Sequence, residues 1–140
     1  MEDPLAECVG LRLGSAFRRV DRLFNRSYAG LGITHAHAQV FLCVFRAGEV
    51  KAREVGTRTG FDQSTVSRLL KELFRRKLVR RRKDESDRRA TVLSPGARAG
   101  AFAEQLLHQQ ERVNARLRRD LSPEDLAALF RTASVLDQLP

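Results

Sequence analysis

Aromatic residues and cysteines are scarce in this sequence, and long apolar runs are absent. Aromatics make up 6% of the residues, with one Tyr and no Trp, which disfavours a sugar-binding or base-stacking surface. No apolar run approaches the ~20 residues that cross a membrane, and the acidic N-terminus lacks the basic start of a signal peptide. The two cysteines form neither a disulfide framework nor a metal-ligand spacing. We therefore expect a cytoplasmic protein without a membrane partner.

Motifs that carry catalysis are also missing. The sequence contains no GxGxxG, Walker loop, HExxH or GxSxG, and its three histidines have no serine or cysteine partner in sequence context. His35 and His37 are two residues apart, so on a helix they diverge by about 200° and do not share a metal ion. We expect His35 in solvent at a helix start and His37 in a dimer interface. The chain is thus predicted not to be an enzyme and to hold neither a metal nor a cofactor.

Positive charge is abundant and clustered. The 140 residues carry a net charge of +9, with a pI near 10.9. Asp62–Arg89 alone has eleven basic and five acidic residues, a difference of +6, so a fifth of the sequence holds two-thirds of the net charge. Clustering of this kind suits a polyanionic partner, and the length suits a single domain over residues 1–140.

Apolar periodicity predicts mainly helices. Apolar residues recur every three or four positions from Leu5 to Tyr28, which indicates one long amphipathic helix. Thr34 is a natural N-cap for a buried helix that ends at Gly48, and Gly60 closes a short helix after it. Asp62 caps the next helix, whose buried stripe comprises Val66, Leu69, Leu70, Leu73 and Phe74.

A β-hairpin and two further helices are expected after that helix. "LVRRRK" and "ATVL" are predicted as two short strands joined by "DESDRR", and "GEVKA" is at most an edge strand. Ser94-Pro95 suits the N-cap and first position of a helix that runs to about Arg119. Ser122 and Pro123 have the same roles for the last helix.

A short helix, a glycine turn, a second helix and a basic hairpin indicate a DNA-binding helix-turn-helix, whose second helix enters the major groove. Short polar side chains let the backbone approach base edges, and arginine can pair with guanine. The predicted recognition-helix contacts are Gln63, Ser64, Thr65, Ser67, Arg68 and Lys71. The predicted contacts on the basic hairpin, mainly to the phosphate backbone, are Arg80, Arg81, Arg82, Lys83, Arg88 and Arg89.

Three segments of the sequence resemble the MarR family of winged helix-turn-helix regulators: "LGITHAHAQVFLCV", "GFDQSTVSRLLKELFRRKLVRRRKDESDRRA" and "LSPGARA". The resemblance implies a mainly α (α+β) fold, with long N- and C-terminal dimerisation helices and a small β-wing. Its parts would be a dimerisation helix at 1–30, the winged helix-turn-helix at 31–94 and C-terminal dimerisation helices at 95–140.

The function that the resemblance implies is transcriptional regulation. A homodimer would bind a pseudopalindromic operator in double-stranded DNA, as a repressor that a ligand or another signal releases. Two other hypotheses remain open from the residues: a sequence-tolerant architectural DNA-binding protein, and a basic module that binds an acidic protein.

The resemblance also implies roles for single residues. Arg89 would enter the minor groove, while Asp87 would either brace a neighbouring arginine or cap its own turn. Only four residues separate Arg89 from Ser94, so the wing is expected to be short. Cys8 matches the region where peroxide-sensing relatives carry a reactive cysteine, although a buried apolar cysteine is the alternative. Arg18, Tyr28 and His37 are candidates for the cavity of a small phenolic or anionic effector, or are packing and solvated residues.

Overall fold

The computed structural model describes residues 3–140. Within them it has six α-helices, a short 3₁₀ turn and one three-stranded antiparallel sheet, in the order α1 Val9–Tyr28, 3₁₀ turn Ala29–Leu31, α2 His35–Ala47, β1 Val50–Lys51, α3 Ala52–Thr59, α4 Gln63–Arg75, β2 Val79–Lys83, β3 Thr91–Pro95, α5 Ala99–Asp120 and α6 Pro123–Leu136. The predicted mainly helical winged fold is confirmed. No helix in this range is long and apolar enough to span a membrane.

Local capping signals set most of the helix bounds. The Thr34 hydroxyl accepts the His37 N–H, and the His37 ring accepts the Thr34 N–H in return, so α2 begins with a reciprocal capping box. Ser122 and Asp125 make the same arrangement at the start of α6. Gly60 ends α3 in the left-handed conformation, at φ 78°. These three predictions are confirmed.

Two predicted helix starts differ from the structure. The apolar pattern from Leu5 predicted a helix there, but α1 begins at Val9, because Asp3 holds a turn by accepting the backbone N–H of Leu5 and Ala6. Residues 1 and 2, which the predicted dimerisation helix includes, lie outside the described part of the chain.

The second difference concerns Ser94-Pro95, which was predicted to start α5 and belongs instead to β3. Ser94 pairs with Arg80 and Pro95 with Val79, so strand pairing overrides the local capping signal. The helix begins four residues later, at Ala99. Because β3 takes up these residues, all five residues of β2 are paired, and the short spacing after Arg89 does not remove the wing.

The core lies between α2, the inner face of α4, the sheet and the first half of α5. Phe41, Leu73, Leu93 and Leu106 are fully buried there, and burial of each such side chain contributes roughly 1.5–3 kcal/mol to folding. The sheet order is β1-β3-β2, so β3 is central and β1 is an edge strand, as its length predicted. This core fixes α4 and the wing on the same side of the domain.

Candidate nucleic-acid interface

The N-terminal half of α4 presents a polar face to solvent. Val66, Leu69, Leu70 and Leu73 are buried, which turns the positions between them outward. Of the six predicted contacts on this helix, Thr65 is half-buried and the other five are exposed: Gln63, Ser64, Ser67, Arg68 and Lys71. Ser64, Ser67, Arg68 and Lys71 recur at helical spacing, so they share one face.

Asp62 organises the first turn of α4. Its carboxylate accepts the Thr65 N–H at 2.7 Å and the Ser64 hydroxyl at 2.7 Å. These hydrogen bonds, the Thr65 N–H foremost, hold the pKa of Asp62 below its ordinary value. The Ser64 hydroxyl proton is therefore engaged, while its oxygen keeps lone pairs that can accept a hydrogen bond from a base.

Gln63 turns towards α3. Its amide nitrogen donates to the Arg53 carbonyl oxygen at 3.2 Å, so the side chain bridges the two helices of the helix-turn-helix. The bridge passes over Gly56, where an added Cβ would lie 2.3 Å from the Gln63 amide nitrogen. A glycine weakens α3 as a helix, yet it leaves room for this contact. Gln63, predicted as a recognition-helix contact, thus has a positioning contact as well.

A cleft separates the start of α4 from the wing, with a volume of about 450 Å³. Among its lining residues are Gln63 and Ser67 from α4, and Asp87 and Arg89 from the wing loop. The structure thus brings Arg89 to the same cleft as the start of α4. Lys51 and Arg53 also line it, although both lie outside Asp62–Arg89, the segment in which the sequence clusters its charge.

The wing is held to the domain at its base. Lys51 of β1 pairs with Asp84 at 3.4 Å, and Arg82 pairs with Glu49, also at 3.4 Å. The Arg81 guanidinium lies over the Phe74 ring, 4.8 Å from its centroid, which ties β2 to the back of α4. Arg82 and Arg81 thus position the wing, whereas Arg80 and Lys83 are exposed and have no ion pair within residues 3–140.

The wing loop, residues 84–90, is ordered by its own aspartates. The Asp84 carboxylate accepts the Ser86 N–H and hydroxyl, both at 3.0 Å. Asp87 accepts the backbone N–H of Arg89 at 3.0 Å and forms no ion pair with an arginine in the described part of the chain. Of the two roles left open for Asp87, this hydrogen bond corresponds to the turn cap. The side chains of Arg88 and Arg89 remain exposed.

The residues predicted for an effector cavity are not brought together. Tyr28 lines a cavity of about 400 Å³ whose walls come from α1, α2, α3 and α5, but neither Arg18 nor His37 is among its lining residues. Burial raises the pKa of Tyr28 to about 12, so its phenol stays neutral at physiological pH. Arg18 is exposed on α1, and its guanidinium reaches back over Gly14.

His35, rather than His37, lines the Tyr28 cavity. Its ring stacks on Phe24, with centroids 4.4 Å apart, and its Nδ1 lies 2.7 Å from an Asp21 carboxylate oxygen. Its backbone N–H donates to the Asn25 side chain at 2.7 Å. The expectation that His35 would lie in solvent is wrong, because its side chain is only 14% exposed. The Asp21 and Asn25 partners, which come from α1, were not recognisable from local sequence.

His37 instead lies against α4. Desolvation is the main cause that lowers its pKa; Glu72 raises it, and Arg68 and Arg76 lower it further. No group of three or more His, Cys, Asp or Glu side chains within residues 3–140 is placed to hold a metal ion.

The two cysteines differ in environment. Cys8 is exposed at the start of α1, so the buried alternative for it is wrong. Cys43 is half-buried, packs against the core and lines the Tyr28 cavity, where burial raises the pKa of its thiol.

Comparison with known proteins gives one family and a set of similar structures. A family model described as "MarR family" matches residues 31–90, which contain α2 to the wing loop. No curated protein matches the chain. Among solved structures, a mutant of Escherichia coli MarR in complex with operator DNA superposes with a TM-score of 0.84, at 22% identity over 99% of this chain and 100% of that one.

Two similar structures concern small molecules. Bordetella bronchiseptica BpsR, whose DNA binding is described as regulated by 6-hydroxynicotinic acid, superposes with a TM-score of 0.85 at 24% identity, over all of both chains. CouR from Rhodococcus jostii RHA1, bound to p-coumaroyl-CoA, has a TM-score of 0.84 at 20% identity, over 99% of this chain and 98% of that one. At these identities the likeness establishes the fold.

Proposed function

We propose that the chain is a MarR family winged-helix protein and acts as a sequence-specific transcriptional regulator that binds double-stranded DNA; the family model that matches residues 31–90 and the shared fold support this. The observation that carries the proposal is the cleft shared by Ser67 of α4 and Arg89 of the wing. With α4 in the major groove, this placement directs Arg89 towards the neighbouring minor groove, whose negative potential favours arginine.

We propose further that the regulator is a homodimer. Leu13 and Phe17 on α1 and Leu129, Phe130 and Val135 on α6 are exposed, with Phe130 at 66% and Val135 at 69%. No residue of α6 is buried within the chain, and an isolated helix of that length is marginal in water. A second copy supplies the missing apolar surface and places two α4 helices in successive grooves of a pseudopalindromic site, ~34 Å apart.

Repression with release by an effector completes the proposal. BpsR and CouR are described with 6-hydroxynicotinic acid and p-coumaroyl-CoA, and the Tyr28 cavity of this chain, with Arg46 and Arg58 in its lining, suits a small phenolic or anionic molecule. The protein acts by binding rather than catalysis. It works in the cytoplasm, where both thiols stay reduced.

A duplex-binding titration tests DNA recognition. Duplexes are first selected from a randomised library with the purified protein, and affinity is then measured at several salt concentrations against random competitor. Each neutralised phosphate contributes about −0.9 to the log–log salt slope. A selected duplex must bind more tightly than random DNA, by at least about a thousandfold. Equal affinity for all duplexes indicates the architectural alternative, and no duplex binding indicates the protein-interaction module.

Two substitutions separate base contacts from phosphate contacts. Arg68→Gln should relax the sequence preference, at a cost of about 1–3 kcal/mol on the selected duplex and less on random DNA. Arg80→Gln, on the exposed wing strand, should weaken all duplexes alike and lower the salt slope by about one. Arg22→Gln on α1 removes the same charge away from the cleft and serves as the control. If Arg68→Gln and Arg80→Gln act identically on every duplex, base reading by Arg68 is wrong.

A further inference from the structure

A second basic surface lies on the long helices, away from α4 and the wing. The Ser27 hydroxyl of α1 lies 3.3 Å from the Gln109 carbonyl oxygen and 3.2 Å from the Gln109 side-chain oxygen of α5, which joins the two helices. Beside this contact runs a groove of about 780 Å³.

Arginine dominates the groove. Four arginines line it, Arg26 from α1 and Arg112, Arg116 and Arg119 from α5, and no acidic residue is among the lining residues. None of the four forms an ion pair within residues 3–140, whereas Arg118 on the same helix pairs with Glu111. All four arginines are exposed, so water and salt screen much of their repulsion, and an anion in the groove can contact several of them at once.

Helix electrostatics account for only part of this cluster. Arg26 and Arg119 lie in the last turns of α1 and α5, where the helix dipole favours a cation. Arg112 and Arg116 lie outside the last turn of α5. Their i, i+4 spacing places two like charges side by side, which disfavours the helix. A bound anion would offset this repulsion.

The spacing of the arginines selects the kind of anion. Arg112, Arg116 and Arg119 recur at i, i+4 and i+7, so they form one row that extends about 10 Å along α5. A single carboxylate or phosphate is too short to contact such a row. Guanidinium groups bind phosphate oxygens in a two-pronged manner, and Leu23, Val113 and Ala115 add apolar lining. We infer that this α1–α5 groove binds a small organic molecule with two or more phosphate groups.

This site is separate from the DNA cleft and from the Tyr28 cavity, with which it shares no lining residue. Isothermal titration calorimetry at fixed ionic strength tests it, with adenosine triphosphate and inorganic tripolyphosphate as the two probes. The full chain should bind at least one probe saturably. The double variant Arg112→Gln/Arg116→Gln should lose at least about tenfold in affinity, because two charged hydrogen-bonding partners are removed.

The control variant Arg22→Gln/Arg131→Gln removes the same charge from exposed positions outside the groove and should retain the affinity. Thermal unfolding checks that each variant is folded; if the double variant is not, Arg116→Lys replaces it, and loss of affinity with charge retained indicates guanidinium-specific contact. Duplex binding by the groove variants should be unchanged.

Three results overturn the inference. The first is the absence of saturable binding of both probes. The second is an equal loss of affinity in groove and control variants, which indicates general electrostatics. The third is a change in the sedimentation mass of the groove variant, which indicates that these arginines join two subunits.

Discussion

At the residue scale, the connection between α4 and β2 depends on the left-handed conformation of Lys77 and on the close backbone contact of Gly96. Lys77, directly after α4, has φ 58°, and it is the one non-glycine residue in the left-handed region within residues 3–140. Its conformation lets the Leu78 N–H reach the Leu73 carbonyl at 3.0 Å and so close the helix. Gly96 packs onto the same place, where an added Cβ would lie 2.2 Å from the Lys77 carbonyl oxygen.

Replacement of Lys77 by glycine should stabilise the protein. The left-handed conformation costs a non-glycine residue roughly 1–2 kcal/mol, and the extra freedom of glycine in the unfolded chain offsets part of that gain. We expect the free energy of unfolding in urea to rise by about 0.5–1 kcal/mol. Lys71→Gly, in the regular part of α4, should lower it by about 1 kcal/mol. A lower free energy of unfolding for Lys77→Gly would show that the left-handed conformation of Lys77 is not strained.

A second residue-scale prediction concerns Gly56 and Gln63. Gly56→Ala places a Cβ 2.3 Å from the Gln63 amide nitrogen and 3.0 Å from the Phe61 carbonyl, so the Gln63 bridge to Arg53 must break. Gly56→Ala and Gln63→Ala should therefore be non-additive, since both remove one contact, with a coupling energy of at least about 0.5 kcal/mol in a double-mutant cycle by urea unfolding. Additive effects would indicate that the bridge is not made in solution.

At the element scale, α1 has one apolar face with two different environments. Phe24 and Tyr28 in its C-terminal half are buried in the core, whereas Val9 and Phe17 in its N-terminal half are 68% and 55% exposed. The amphipathic stripe is continuous, so its period alone predicts a single covered face. The uncovered half is therefore where we expect part of the proposed dimer contact.

The start of α4 supplies a pH-dependent prediction. The folded state lowers the pKa of Asp62, so its capping contribution is present above the unfolded pKa, near pH 4, and is lost as the pH falls through the lower folded pKa. Asp62→Asn keeps an acceptor for the Thr65 N–H but does not titrate. The difference in urea stability between wild type and Asp62→Asn should be constant between pH 5 and pH 7 and shrink towards pH 3. A difference that grows on acidification would refute the assignment.

At the scale of the whole molecule, the exposed apolar residues of α1 and α6 predict the oligomeric state. Phe130→Glu places a charge in the proposed dimer contact, where burial without a partner costs several kcal/mol. Sedimentation should shift from dimer towards monomer, and duplex affinity should fall, because two linked α4 helices bind one site jointly. Glu124→Gln, on the polar start of α6, should leave both properties unchanged. A wild-type monomer that still binds duplexes tightly would falsify the dimer.

The sequence by itself determined the elements whose signals are local. Periodicity located the helices, and Thr34, Asp62 and Ser122 set their starts through side chains within three residues of the cap. The charge of Asp62–Arg89 and the resemblance of its motif predicted the proposed DNA-binding surface, because exposed charge needs no tertiary partner to be recognised.

Only the tertiary structure decided which of several chemically similar residues makes a given contact. Strand pairing assigned Ser94-Pro95 to β3 rather than to a helix, and packing of α1 on α2 placed His35, not His37, beside Tyr28. Arg81 and Arg82 looked alike in sequence, yet one contacts Phe74 and the other Glu49. These roles depend on partners distant along the chain, such as Asp21 for His35. Local sequence does not show these contacts, because packing of the core brings together residues that are distant along the chain.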